Sequence, residues 1–191
     1  MHSLLNSAII AFSGSAHSTV RQLAAKLYDL PKFDEVSSPK VDPPLPDLEM
    51  LSSQPVDAPI TREIIAKITD FPWQTVDPEV APEAVIGKQV YCDIIGPEGI
   101  LNDDNVRMGL YLQSPNVMYP SHTHNAEEVY YVLSGTALWK NGGGPFIPYC
   151  PGSLVHHPST QPHAITTQDE MLLSVWAWFG DLSFDSYCFE D

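Results

Sequence analysis

The stretch YPSHTHNAEEVYYVLSG, residues 119–135, holds two histidines, two adjacent glutamates and three tyrosines. In an extended chain side chains alternate between faces, so His122 and His124 point the same way and two imidazoles can reach one ion. Glu128 follows at an even offset, a parity that has to survive the turn or bulge that NAE permits. Imidazole nitrogen and carboxylate oxygen together suit Zn, Fe, Mn or Ni, and the missing soft ligand disfavours a thiolate site. The competing reading is a polar loop that leads into an aromatic strand.

Working outward, residues from about 85 onward form short alternating runs separated by Gly, Pro and Asn: AVIGKQVYCDII, VRMGLYLQ, EVYYVLSGTALWK, SLVHH, HAITT and LLSVWAWFG. Such runs read as strands. With no helical pattern between them, they predict an antiparallel sandwich or barrel such as a jelly roll. Asp103 and Asp104 in LNDDNVR read as a loop. Gly142, Gly143 and Gly144 in NGGGP lack the helix and Lys of a phosphate loop and read as a hairpin connection.

The first part of the chain differs. STVRQLAAKLYDL places Val20, Leu23, Leu27 and Leu30 at helical spacing behind the N-cap candidate Ser18, with Pro31 ending the helix. Residues 36–59 carry six prolines and read as an irregular connector, followed by a short helix, ITREIIAKITDF, that stops at Pro72. We therefore expect two parts: a helical, Pro-rich cap over residues 1–80, covering one barrel opening, and a β-barrel over 81–191 that carries the site.

Composition narrows the partners. The 191 residues carry a formal charge of −15, and only nine are Lys or Arg. Phosphate backbones and anionic membrane surfaces are repelled by such a chain, so neither nucleic acid nor membrane is expected as a partner. After Lys140 there is no Lys or Arg at all. A pocket built from that half must hold an anionic substrate by metal, hydroxyl, His or backbone amide. The three cysteines are widely spaced without a finger pattern, which suits a reducing cytoplasm. The opening MHSLLNSAIIAFSGSA lacks a basic n-region and fits a secretory leader poorly. No stretch reaches the ~18 apolar residues of a membrane span.

The spacing His-x-His-x3-Glu-x6-Gly at His122, His124, Glu128 and Gly135 resembles the first signature of the cupin superfamily. GSLVHHPSTQPH, with Gly152, Pro158 and His163, resembles the second. Thr160 and Asn116 stand where those signatures carry Gly, and Thr167 where Asn is expected; none of these removes a ligand. His2, His17, His156 and His157 read as bystanders, and Glu127 as a neighbour of Glu128 with the opposite facing.

The same stretch, with QPHAI and VWAWFGD behind a helical N-terminal part, is similar to the cupin-type dimethylsulfoniopropionate lyases of marine bacteria. That resemblance implies a mainly β cupin barrel that uses one divalent transition metal to cleave a small zwitterionic sulfonium, dimethylsulfoniopropionate, to dimethyl sulfide and acrylate. It implies His124, Glu128 and His163 as metal ligands, His122 as a ligand or a close neighbour of one, and Tyr130 as a tyrosine able to touch the metal. Tyr119 leads as the catalytic base, with Tyr130 the other candidate. A cation near a phenol lowers its pKa of ~10 toward a usable range. Tyr130 shares parity with Glu128 and faces inward, and Tyr131 faces away. Trp178, with Tyr130 opposite it, is expected to contact the sulfonium, because aromatic faces host soft cations, and the resemblance implies His122 as a substrate-binding residue beside them. Trp176 is read equally as core. Two further readings stand beside the lyase: a cupin dioxygenase using the same ligands, and a non-catalytic binder of small molecules. Either a monomer or a dimer fits the sequence.

Overall fold

The computed structural model describes residues 2–30, 48–76 and 81–190. Two helices open the chain, α1 (His2–Ser13) and α2 (Ser18–Asp29), followed by the short α3 (Leu48–Ser53) and α4 (Pro59–Ala66). Eleven strands come next: β1 (Gln89–Gly96), β2 (Leu101–Asn102), β3 (Val106–Gln113), β4 (Met118–Thr123), β5 (Glu127–Ser134), β6 (Ala137–Asn141), β7 (Phe146–Tyr149), β8 (Leu154–His157), β9 (His163–Thr167), β10 (Leu172–Phe179) and β11 (Cys188–Phe189).

The strands form two sheets, of order β2-β1-β3-β10-β5-β8 and β11-β4-β9-β6-β7, antiparallel except for the β1–β2 pair. Their inner faces share one aromatic core, including Tyr111, Tyr130 and Trp176 from the first sheet and Tyr119, Trp139 and Ile165 from the second. This is the mainly β cupin jelly roll expected. Its barrel is built as two facing sheets, and among the described strands no ladder joins one sheet to the other.

Alternation sorts the six-stranded sheet cleanly. On β5, Glu128, Tyr130 and Val132 face inward, whereas Val129 and Leu133 belong to a second core on the other side. That second core joins Val90, Cys92, Leu110 and Val175 of the sheet to Phe12 of α1, Leu23 and Leu27 of α2, Leu51 of α3 and Ile64 of α4. The helical part thus covers the outer face of the larger sheet, not a barrel opening. The reason lies in the strands: β3 is buried at all eight positions, and a sheet apolar on both faces needs a layer on each.

Several local expectations are adjusted. Helix α2 starts at Ser18 with His17 in the N-cap position and no side-chain cap, while Val20, Leu23 and Leu27 are buried as their spacing predicts. Pro31 and most of the Pro-rich connector lie outside the described residues. Its end, residues 48–53, forms α3, which the prolines obscured. Next to α3, Gln54 clamps the sheet: its Nε2 donates to Ser134 Oγ and the Met171 carbonyl, and its Oε1 accepts from the Met171 amide at 2.6 Å. Asp103 does sit in a loop, accepting from the Asn105 and Val106 amides, and NGGGP does connect the β6–β7 hairpin.

Candidate metal centre

Two facing rows of side chains build the site. In the larger sheet, register aligns Arg107, Trp178, Glu128 and His157 across β3, β10, β5 and β8. In the smaller sheet Phe189, His122, His163 and Asn141 align across β11, β4, β9 and β6. His122 and His163 are direct cross-strand partners with ring centroids 4.1 Å apart. His124 follows the end of β4, and its ring lies 4.4 Å from Trp178.

Each of these three histidines is oriented by a backbone carbonyl two residues away. Nδ1 of His122 meets the Pro120 oxygen at 2.9 Å, that of His124 the Ala126 oxygen at 3.0 Å, and that of His163 the Gln161 oxygen at 2.8 Å. A carbonyl only accepts, so Nδ1 carries the proton and, on a neutral ring, Nε2 presents a lone pair. The His124 and His163 Nε2 atoms face Glu128 Oε2 at 3.4 and 3.0 Å, and these three buried atoms have no hydrogen-bond partner. Ligand atoms of His122, His124, Glu128 and His163 all lie within 4.8 Å of one another. Convergent acceptors without donors repel, and a cation between them removes the repulsion, so this cluster could hold a metal ion.

Electrostatics agree. Burial lowers the His122 pKa to about 3, with the charge of His163 the next cause, so its ring stays neutral near pH 7. Burial opposes charge on Glu128; the His124 and His163 rings beside it outweigh burial and hold its carboxyl well below the ordinary value when their Nε2 atoms carry a proton. With those rings neutral, a cation has to supply that charge in their place. The other oxygen, Oε1, accepts from Trp178 Nε1 at 2.7 Å. Trp178 therefore orients a candidate ligand in addition to lining the pocket.

The tyrosines are placed by local geometry that simple parity misses. Tyr119 is odd and His122 even, so a regular strand would set them on opposite faces. The β4–β9 register shifts between Tyr119 and His122, and this irregularity turns both inward. Tyr119 is buried with its ring 4.6 Å from His122, and its hydroxyl hydrogen-bonds that of Tyr187. Tyr130 is buried inward as its parity predicts. Burial is the first cause raising both phenols, with Glu128 adding to it, so either serves as a base near neutrality only where positive charge offsets burial.

A cavity of about 630 Å³ opens onto the cluster. Its lining includes Tyr91, Tyr119, Tyr130, Trp176, Trp178 and Tyr187, and among the described residues contains no Lys or Arg. Aromatic faces suit a soft cation, and an anionic group there meets no guanidinium or ammonium among the described lining residues.

Two residues at the site escape sequence reasoning. His157, read as a bystander, is fully buried and stacks on His163 at 4.1 Å and 11°. Its register opposite Glu128 is the signal, but that pairing is long-range and invisible in the chain. Tyr187 lies beyond the last clear strand pattern and carries no periodic signal. His156 does face away, beside His17 and Glu127, and the His2 side chain is outside the described residues.

A jelly roll of two facing sheets, with three histidines and a glutamate converging on its inner wall that could hold a metal ion, is a cupin fold. The family model for dimethylsulfoniopropionate lyases matches residues 49–174, and the chain belongs to that family. It is 37% identical over 92 residues to the dimethylsulfoniopropionate lyase DddQ of Ruegeria pomeroyi, covering 48% of this chain and 45% of that protein. It is 34% identical over 104 residues to a putative dimethylsulfoniopropionate lyase, DddL, of Cereibacter sphaeroides, covering 53% and 43%. The matched stretch thus spans less than half the length of either curated relative. The crystal structure of DddQ from Ruegeria pomeroyi superposes with a TM-score of 0.69 at 22% identity, covering 99% of this chain and 97% of that one. A chain from crystal structures of the lyases RdDddP and RnDddQII gives 0.72 at 22% identity, covering 98% and 96%. At these identities the superpositions establish the fold. No helix among the described residues is long and apolar enough to cross a membrane.

Proposed function

We propose that the protein is a metal-dependent carbon–sulfur lyase that cleaves dimethylsulfoniopropionate to dimethyl sulfide and acrylate by base-promoted β-elimination. The observation that carries this reading is the unpartnered cluster of His124 Nε2, His163 Nε2 and Glu128 Oε2 beside an aromatic cavity that His122 and Glu128 line, with no Lys or Arg among its described lining residues. His122, His124, Glu128 and His163 would hold one divalent ion, and this donor set suits Zn, Fe, Mn or Ni. When bound, the ion supplies a Lewis acid for the substrate carboxylate, stabilising negative charge that develops at the adjacent carbon.

The chain's own residues do the rest. Tyr119, as phenolate, takes the proton alpha to the carboxylate; Tyr130 is the second candidate. The C–H pair becomes the new C=C bond, and the C–S pair leaves with neutral dimethyl sulfide, so no redox cofactor is needed. Trp178 and Tyr130 offer aromatic faces to the sulfonium, each well-placed ring adding about 0.5–2 kcal/mol. Trp178 also keeps Glu128 oriented. Three unpaired cysteines support a cytoplasmic setting.

The test is anaerobic incubation of metal-analysed protein with dimethylsulfoniopropionate, measuring headspace dimethyl sulfide and acrylate together. Equimolar release is expected, and Tyr119→Phe should lose most turnover while keeping its fold. A metal-loaded protein that releases neither product refutes the lyase reading, and oxygen uptake would then point to a dioxygenase.

A further inference from the structure

Residues 181–190 lie beyond the stretch matched by the family model, yet they form one wall of the cavity. The segment leaves β10, makes a single 3-10 turn at Phe184–Ser186 and returns to pair β11 with β4, setting Cys188 against Thr123 and Phe189 against His122. It is tied down along its length. Asn125 Nδ2 donates to Asp181 Oδ2 and the Asn125 amide to Ser186 Oγ, both at 3.0 Å. The Glu190 amide donates to the Ser121 carbonyl at 2.8 Å, and Ser121 Oγ donates to Glu190 Oε2 at 2.6 Å. The Arg107 guanidinium lies 4.7 Å over the Phe184 ring. The ties to Ser121 and Asn125 bracket the short run of residues 121–125, where two candidate ligands sit.

The strap delivers Tyr187 into the site. Its ring stacks on His122 at 4.9 Å and 16°, and lies nearly parallel to His124 at 5.7 Å and 24°. Its hydroxyl meets that of Tyr119. The same side chain therefore touches a candidate ligand by its face and the candidate base by its tip.

We propose that Tyr187 is a positioning residue, carried by the 181–190 strap, whose ring holds the His122 imidazole in place and whose hydroxyl holds the Tyr119 oxygen in its reactive position. The hydroxyl arm rests on the lyase reading above; the ring arm does not. A phenol oxygen fixed by a neighbour loses less freedom on reaching its reactive geometry, which acts on turnover and not on substrate affinity. A stacked ring fixes the orientation of a ligand and so acts on metal retention.

Two substitutions separate the arms. Tyr187→Phe keeps the ring and removes the hydroxyl: kcat should fall about 10- to 100-fold, with KM within about 3-fold of wild type and metal affinity unchanged. Tyr187→Ala removes both, and its metal affinity by chelator competition should fall on the order of 10-fold below that of Tyr187→Phe. Full kcat in Tyr187→Phe, or equal metal affinity in the two variants, overturns the corresponding arm. A parallel rise in KM with loss of melting temperature in Tyr187→Phe would make the residue merely structural. If wild type itself releases no dimethyl sulfide, the lyase reading and the hydroxyl arm fall together, whereas the chelator comparison still decides the ring.

Discussion

Nδ1 of His122, His124 and His163 is each committed to a carbonyl at i−2 or i+2, so the chain sets the tautomer of a candidate ligand within a few residues of it. Trp178 does the same for Glu128 from fifty positions away. The sequence points to Trp178 through its place on an inward face; its bond to Glu128 depends on the β5–β10 register, which no local pattern encodes. Trp178→Phe keeps the aromatic surface and deletes the donor to Oε1. Metal affinity should drop about 10- to 100-fold with the fold intact, as is usual when the group orienting a ligand is removed. Isothermal titration of stripped protein checks this, and unchanged affinity would mean that Glu128 is held without Trp178.

At the scale of strands and turns, two of the three departures from the cupin signatures, the ones that replace Gly, turn out to be conservative. Asn116 and Thr160 replace Gly, yet both adopt the left-handed conformation Gly would supply, with φ of 57° and 62°. Asn tolerates this region; a β-branched Thr does not. The Thr160 turn is kept because its amide donates to the His124 carbonyl at 2.9 Å, tying the second signature to the first. Thr160→Gly relieves the strain, while the added freedom of the unfolded chain offsets part of the gain, so stability should rise by about 0.5–1 kcal/mol. Urea unfolding measures it, and a loss of stability would show that the Thr side chain has a packing role. The irregularity in β4 is the opposite case: Pro120 and Ser121 hint at a break in pairing, but only the register against β9 shows that Tyr119 and His122 end on one face.

For the whole molecule, the inner face of the larger sheet carries a buried ion pair, Arg107 to Asp93 at 2.8 Å, inside a chain of net charge −15. Burial raises the Asp93 pKa from 3.8 to about 6, and the Arg107 charge only partly opposes it. The folded state therefore holds this proton to higher pH than the unfolded chain. Its contribution to stability is complete below pH ~4 and declines as pH rises to about 6, by roughly 3 kcal/mol at 1.36 kcal/mol per pH unit. Asp93→Asn should abolish that decline. Urea unfolding of both proteins between pH 4.5 and 6.5 tests it, and parallel pH profiles would show that Asp93 titrates normally.

By itself the sequence determined the class of fold, the strands that matter and the four candidate ligands. Alternation and motif spacing are short-range properties, written within a dozen residues of each other. They place Glu128 and Tyr130 inward and Tyr131 outward without any knowledge of partners. Only the tertiary structure decided that the helices cover the outer face of the larger sheet, that His157 stacks on His163, and that Tyr187 closes the site. These contacts join positions tens of residues apart through register and layer packing, and the free energy that selects them comes from burying both faces of one sheet. A local pattern records which face is apolar; it carries no record of what will cover it.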